Sequence, residues 1–313
     1  MNNNLHSANI DVMTLDEILN DQTTPPAPII DDGVLLEDTI LLVYGEPKSR
    51  KTFLALNWAL AIAHGKDFAG FRIPNPHKVL VLSAEGGYFP NRDRIHTMAK
   101  DFSVDKLKNF NMCFRTKINI CNEVDYQKLK SLIDKLKPKV VVLDPLIRFH
   151  NADENSATQM AEVFTRLREL IKLYNLSFIL IHHTGKDESR EARGSSVIMS
   201  EYDSRIHIKT ADATSTLIFD MRHVSTPENR NIRFNDEIFW FEVDNQEDSN
   251  PVSNALIKKG GTAQRRELVE ILMNEFTYSQ SGAYDAIKRE LEKGIIYEDN
   301  GIIKTKLGPI SKN

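Results

Sequence analysis

The amino-acid sequence predicts an α/β fold, a mainly parallel sheet covered by helices on both faces, with a smaller module at its carboxyl end. Three observations carry that expectation. Short apolar runs at Ile40–Tyr44, Val79–Ser83, Val140–Leu143, Phe178–Ile181 and Ser215–Phe219 alternate with amphipathic segments, the pattern of strands buried on both faces. The first run leads through Gly45-Glu46-Pro47-Lys48-Ser49-Arg50-Lys51-Thr52 straight into a helical segment, the setting of a phosphate-binding loop. A polar stretch at 244–261 then separates this region from one of different pattern.

Taken in order, residues 1–30 read as a tail with one short helix. Thr14-Leu15-Asp16-Glu17 has capping-box spacing, Leu15, Ile18 and Leu19 offer a small apolar face, and Pro25, Pro26 and Pro28 end it. So short a helix is marginal alone and is expected to dock, on its own domain or on a neighbouring subunit. Residues 31–243 form the main domain. Helices are predicted at Thr52–His64, Asn91–Lys100, Tyr126–Leu136 and Ala157–Leu173, the last with Met160, Phe164, Leu167 and Ile171 as a core-facing stripe. Ile232–Phe234 and Ile238–Val243, split by Asn235-Asp236-Glu237, read as a hairpin closing the sheet edge. Residues 244–261, polar from Asp244 to Pro251 and ending in Gly260-Gly261, read as a linker. In 262–313, Leu268, Ile271 and Leu272 mark one helix. Ser281–Lys293 forms a second, with Ala283, Ala286, Ile287 and Leu291 inward and Gly294 as its stop. Asp299-Asn300-Gly301 turns a hairpin between Ile295–Tyr297 and Ile302–Lys304. Helix, helix and two-stranded wing are the outline of a winged-helix module.

Composition excludes several classes. With 41% hydrophobic and 27% charged residues the chain is neither disordered nor a membrane protein. No run approaches the ~20 apolar residues of a spanning helix. Met1–Ile10 lacks the basic and apolar regions of a secretory signal, so a cytoplasmic, membrane-free location is expected. Cys113 and Cys121 match no zinc or redox spacing and read as idle thiols in a reducing compartment. A net charge of −4 excludes coating nucleic acid by charge alone, although residues 256–313 carry ten Lys+Arg against eight Asp+Glu.

The chemistry is concentrated at strand ends. In the loop Gly45–Thr52, backbone N–H groups at a helix N-terminus would cradle phosphates, Lys51 would reach the β/γ oxygens, and Thr52 would complete the shell of Mg²⁺ bound with ATP. Arg50 stands where such loops normally carry glycine, which removes conformational freedom and adds a charge near the phosphates. Val140-Val141-Val142-Leu143-Asp144 is an apolar strand ending in a carboxylate placed to order Mg²⁺ through water. Pro145 follows, so no adjacent glutamate can activate water. Glu85, just past Val79–Ser83, is the candidate for that role, with a solvated turn glutamate as its alternative. His182 and His183 end another strand and point to opposite faces, so they cannot share one metal without a bend. One of them is a candidate γ-phosphate sensor, the other reading being a hydrogen-bonded strand-end histidine.

Gly45–Thr52 with Phe53-Leu54-Ala55-Leu56, then Leu82-Ser83-Ala84-Glu85, Leu143-Asp144-Pro145-Leu146, His182-His183-Thr184-Gly185-Lys186 and Arg193-Gly194-Ser195-Ser196, come in one fixed order. Over roughly residues 30–243 the chain resembles the RecA-like P-loop ATPases of RepA-type hexameric helicases, carried by plasmids, phages and other mobile elements. The resemblance implies a RecA-like core that assembles as a homo-hexameric ring with ATP between subunits. It maps Lys51, Thr52, Glu85, Asp144 and His183 onto the nucleotide site and places an arginine finger for the next subunit at Arg205, with Arg193 and Lys209 as competitors. Arg50 is the departure and leaves the rate of turnover open.

In such a ring the loops after the Asp144 and His183 strands face the pore, which gives Arg148, His150, Lys186, Arg190 and Arg193 as candidate contacts to single-stranded DNA, with Phe149 as the nearby aromatic. Structural salt bridges are the alternative for Arg148 and Arg193. In the C-terminal module Tyr284, Asp285, Lys288 and Arg289 are expected to face outward, with Lys304 and Lys306 on the wing and Glu290 and Glu292 diluting the charge. That module suits either duplex DNA or a replication protein as partner. The sequence thus favours an ATP-hydrolysing motor on single-stranded DNA, a replicative helicase of a mobile element. It leaves open an ATP-dependent DNA-binding switch with slow turnover, and a P-loop kinase or metabolic ATPase.

Overall fold

The computed structural model of the protein describes residues 12–100, 102, 106–114, 117–183, 198–211, 213–244, 251–276, 278–292 and 294–305. Its centre is a nine-stranded sheet. In chain order the strands are β1 (Ile40–Gly45), β2 (Val79–Ser83), β3 (Phe110–Phe114), β4 (Val140–Asp144), β5 (Ser177–His183), β6 (Ser204–Ala211), β7 (Thr214–Met221), β8 (Arg230–Asn235) and β9 (Trp240–Val243). Across the sheet they lie β3-β2-β4-β5-β1-β6-β7-β8-β9. The pairings from β3 to β6 are parallel, and those from β6 to β9 antiparallel.

The parallel strands are apolar throughout because both of their faces are covered. In β1, Leu41 and Val43 point into one core with Val79, Val81, Ile179 and Ile181. Ile40 and Leu42 point into the other with Leu80, Leu82, Phe178 and Leu180. Helices α2 (Lys51–His64) and α3 (Tyr88–Met98) cover the first face. Helices α4 (Glu123–Leu136) and α5 (Ala157–Tyr174) cover the second, α5 through the expected stripe of Met160, Phe164, Leu167 and Ile171. Each such fully buried side chain contributes roughly 1.5–3 kcal/mol. Helix ends follow local chemistry: Asn122 and Ser156 cap α4 and α5 through their side chains, and Gly65 ends α2 at φ 74°.

Several expectations need correction. Ser215–Phe219 lies in β7, which is antiparallel, and its burial alternates as in a strand with unlike faces. Strands β3 and β6 were not expected. β6 reads Ser-Arg-Ile-His-Ile-Lys-Thr-Ala, where alternating polar residues hide the apolar face of Ile206 and Ile208. The capping box at Thr14 is present, yet α1 (Leu15–Asn20) buries none of its residues, and Leu15, Ile18 and Leu19 are exposed.

Beyond β9, helix α6 (Pro251–Lys258) occupies part of the stretch whose polarity suggested a linker. Its Val252, Ala255 and Leu256 join a third core with Leu268 and Leu272 of α7 (Arg265–Glu275), Ala283 and Ile287 of α8 (Gln280–Glu292), Ile296 of β11 (Ile296–Asp299) and Ile303 of β12 (Ile302–Thr305). Residues 262–264 add a short strand, β10 (Thr262–Gln264), giving a sheet of order β10-β12-β11.

Candidate active site

The phosphate loop leaves the sheet at Gly45, where β1 sits between β5 and β6. Only glycine fits there: an added Cβ would lie 2.5 Å from the carbonyl oxygen of Ile208. Lys48 (φ 69°) and Arg50 (φ 61°) take the left-handed conformation, and the Ser49 N–H donates to the Glu46 carbonyl at 3.2 Å. Arg50 thus holds the backbone shape that glycine normally supplies, at a strain of roughly 1–2 kcal/mol. Lys51 is buried with its ammonium inside the loop, donating to the Gly45 carbonyl at 2.8 Å, the Glu46 carbonyl at 2.5 Å and Ser49 Oγ at 3.1 Å. Burial pulls its pKa down to about 8, against the opposing pull of Asp144 and Glu46.

Asp144, at the end of β4, is 6% exposed and accepts a hydrogen bond from Thr52 Oγ1 at 3.3 Å. Burial pushes its carboxyl up to about 6, with the Thr52 hydroxyl opposing and Glu85 adding to the rise. Arg94 and Lys51 offset the burial of this carboxylate only in part, and a hydroxyl beside it makes a hard-oxygen pair that fits Mg²⁺. Glu85 projects from the turn after β2, which pairs with β4 so that Ser83 is level with Asp144. Asn91, buried in α3, fixes that turn by donating to the carbonyls of Glu85 and Gly87, both at 2.9 Å. No sequence signal marked Asn91, since an asparagine on a polar helix has no pattern.

Strand β5 brings His183 level with Gly45 and His182 level with Tyr44. The pair alternates as expected. His182 is buried, its Nδ1 3.6 Å from Glu154, and burial first, then His183 and Lys51, lower its pKa to about 4. His183 is half-buried; burial and the Lys51 charge lower its pKa, while Glu85 opposes them. Both histidines are therefore neutral imidazoles at pH 7 in this arrangement.

The remaining candidates are dispersed. Arg148 sits after β4 with its Nε 3.0 Å from Glu85, both side chains at least half exposed, beside a cleft of about 380 Å³ that also takes in Lys117 and Asn151. Phe149 and His150 are buried, so neither is available to stack on a base. Lys186, Arg190 and Arg193 lie outside the described residues, as does Lys306. Arg205 lies on β6 level with Leu42, three residues and so about 10 Å short of Gly45. Its guanidinium pairs with Asp220 at 2.8 Å and lies over the Tyr202 ring at 4.9 Å. Lys209 and Thr210, farther along β6, line a cleft of about 240 Å³ against Glu46, Pro47, Lys48 and Ser49. In α8, Tyr284, Asp285, Lys288 and Arg289 are exposed as expected, but Glu290 is buried and does not dilute the surface charge.

A loop of this shape, a strand-end carboxylate hydrogen-bonded to its threonine, and six parallel strands with helices on both faces define a P-loop nucleotide-binding protein of RecA-like α/β fold. Residues 7–189, more than half of the 313-residue chain, match the AAA domain family, and the chain belongs to that family of P-loop ATPases. Among solved structures, one ATPase domain is similar with a TM-score of 0.50 and 18% identity, over 66% of this chain and 84% of that one. The RadB recombinase is similar with a TM-score of 0.46 and 17% identity, over 66% of this chain and 91% of that one. The family match ends before β6, so Arg205 falls outside it. No helix among the described residues is long and apolar enough to cross a membrane.

Proposed function

We propose that the protein is an ATP-hydrolysing, ring-forming motor that acts on single-stranded DNA in the cytoplasm, a replicative helicase of a mobile element. One observation carries the reading: Lys51, Thr52, Asp144, Glu85 and His183 converge on one edge of the sheet, and Arg148, from the loop proposed to meet DNA, is ion-paired to Glu85. In this reading Lys51 and the loop Gly45–Thr52 hold the phosphates of ATP. Thr52 and Asp144 hold Mg²⁺, which supplies charge neutralisation at the phosphates when bound. Glu85 accepts the proton of the attacking water. His183, level with the loop, donates a hydrogen bond toward the terminal phosphate. Arg205 is the proposed finger for the next subunit of a hexamer, a role that requires it to leave Asp220.

Arg148 links this chemistry to the track. While it holds Glu85, one carboxylate oxygen is engaged by the guanidinium. A DNA phosphate competes for the same guanidinium, and an exposed pair worth about 1 kcal/mol or less yields readily. Lys186 and Arg193 are proposed to add phosphate contacts. The C-terminal residues 262–313 are proposed to be a winged-helix module that presents Lys288 and Arg289 to duplex DNA or to a replication protein. Several cations of the C-terminal core are already paired within it, Lys258 of α6 with Glu275, Arg265 with Glu298 and Lys304 with Asp299, which favours a protein partner.

The test is ATP hydrolysis with and without single-stranded DNA, beside Lys51→Ala. Turnover that rises with DNA and vanishes in the variant supports the motor. Nucleotide binding with no stimulated turnover supports the second reading, an ATP-dependent DNA-binding switch. Arg205→Ala should abolish hydrolysis and leave nucleotide binding intact; loss of binding as well would make Arg205 structural.

A further inference from the structure

Arg50 departs from the usual glycine, yet its loop keeps the left-handed turn that glycine would supply. Its guanidinium lies 4.9 Å above the ring of Phe234 in β8. Phe234 is 5% exposed and meets Phe53 edge-on at 5.0 Å. Phe53 follows Thr52 directly and carries the Arg94 guanidinium at 5.0 Å on its own ring. The start of α2 is therefore held by two cation–aromatic contacts, one from the phosphate loop to the edge hairpin and one from α3 to α2. The hairpin is itself fastened to α2: Asn57, fully buried, donates to the Phe239 carbonyl and accepts from the Phe241 N–H, both at 3.0 Å.

We infer that Arg50 is a positioning residue, and that through Phe234 the β8–β9 hairpin forms part of the nucleotide site. A glycine at this position would adopt the same φ without strain and leave the loop free to sample other shapes. Arginine adopts it under strain, and the stack on Phe234 selects that one shape before nucleotide arrives, so the ordering is done in advance of binding. The departure from the usual loop is then compensated by a residue far along the chain, on the antiparallel edge of the sheet. This inference rests on the P-loop reading and deepens it by adding the hairpin to the site.

The experiment measures the affinity of a fluorescent ADP analogue for the full chain, with thermal melting of each variant as a check on folding. Arg50→Met keeps the strained backbone and removes the cation; it should weaken binding about three- to tenfold, the range of a partly desolvated cation–aromatic contact. Arg50→Lys should recover part of that loss, and Arg50→Gly, which frees the loop to sample other shapes, should bind more weakly than the wild type although its backbone is unstrained. Phe234→Leu should weaken binding to the extent of Arg50→Met in the wild-type background and by less than about twofold when Arg50 is already Met. Unchanged affinity in Arg50→Met overturns the inference, as does an equal effect of Phe234→Leu in both backgrounds. If Arg50 instead contacted phosphate directly, Arg50→Met would weaken binding while Phe234→Leu would not, which also overturns it. Failure of the wild type itself to bind would overturn the P-loop reading, a result none of the other outcomes resembles.

Discussion

Asp203 offers the sharpest test of how the core is held, because one carboxylate ties three elements. Its Oδ2 accepts from the Ile40 N–H at 2.7 Å and from Arg168 Nη1 at 2.6 Å, and its Oδ1 lies 3.0 Å from His223 Nε2. These partners belong to the start of β1, the middle of α5 and the segment after β7. Asp203→Ala leaves the Ile40 N–H without its acceptor, a loss of about 1–3 kcal/mol. The Arg168 side chain is 36% exposed, so the lost ion pair adds only about 1 kcal/mol after screening. The expected destabilisation is about 2–4 kcal/mol, and about 1–2 kcal/mol for Asp203→Asn, which keeps an acceptor for Ile40. Urea unfolding followed by tryptophan fluorescence suits the test, because both tryptophans, Trp58 and Trp240, pack in the same core as β1.

The effect of pH on this comparison has a definite sign. Burial alone raises the Asp203 pKa, but hydrogen bonds from Arg168, His223 and the Ile40 N–H outweigh it and hold the carboxyl below its ordinary value. A carboxylate depressed in the folded state stabilises fully above its unfolded pKa, near ~3.9, and that contribution disappears as pH falls through the folded pKa. The stability gap between wild type and Asp203→Asn should therefore be steady above about pH 5 and close below about pH 4. A loss under about 0.5 kcal/mol for Asp203→Ala, or a gap that persists undiminished at the acid end, would refute the reasoning.

Other outcomes follow from the site and the C-terminal core. Asp144→Asn should reduce hydrolysis by at least about a hundredfold. Without Mg²⁺ at pH 7 it should melt above the wild type, because a carboxyl raised to about 6 by burial opposes folding once ionised. If Lys51 binds phosphate as proposed, nucleotide affinity should fall by up to about tenfold per unit above about pH 8, as Lys51, with its pKa near 8, loses its charge; titration by calorimetry reads this directly. Leu256→Ala, fully buried in α6, should cost about 2–4 kcal/mol in the C-terminal core and open it to limited proteolysis, while nucleotide binding stays at the wild-type level.

The strand–loop–helix around Gly45–Thr52 was legible because it depends on neighbours in sequence: an apolar strand, a glycine and a helix start at fixed offsets need no distant partner to be read. The Asp144 strand and the stripe on α5 were legible for a similar reason, since burial on both faces or on one helical face leaves a period in the residues. Strand β6 left no such trace, because its alternating polar residues resemble a loop until Leu42 and Phe219 are seen beside it. Helix α6 was hidden by the polar run that precedes it; only Val252, Ala255 and Leu256 packing on α7 and α8 make it part of a core.

The sequence by itself determined where the strand–loop–helix of Gly45–Thr52 sits and which strands run continuously through a covered sheet, because those properties are local in chain order. Only the tertiary structure decided that Phe149 and His150 are buried, that Arg148 holds Glu85, that Arg205 is tied to Asp220 and that Arg50 rests on Phe234. The Arg148–Glu85 and Arg50–Phe234 contacts join residues far apart in the chain, brought together by strand order and packing. Such contacts are fixed by the packing of the whole domain, and no short window of sequence contains both partners.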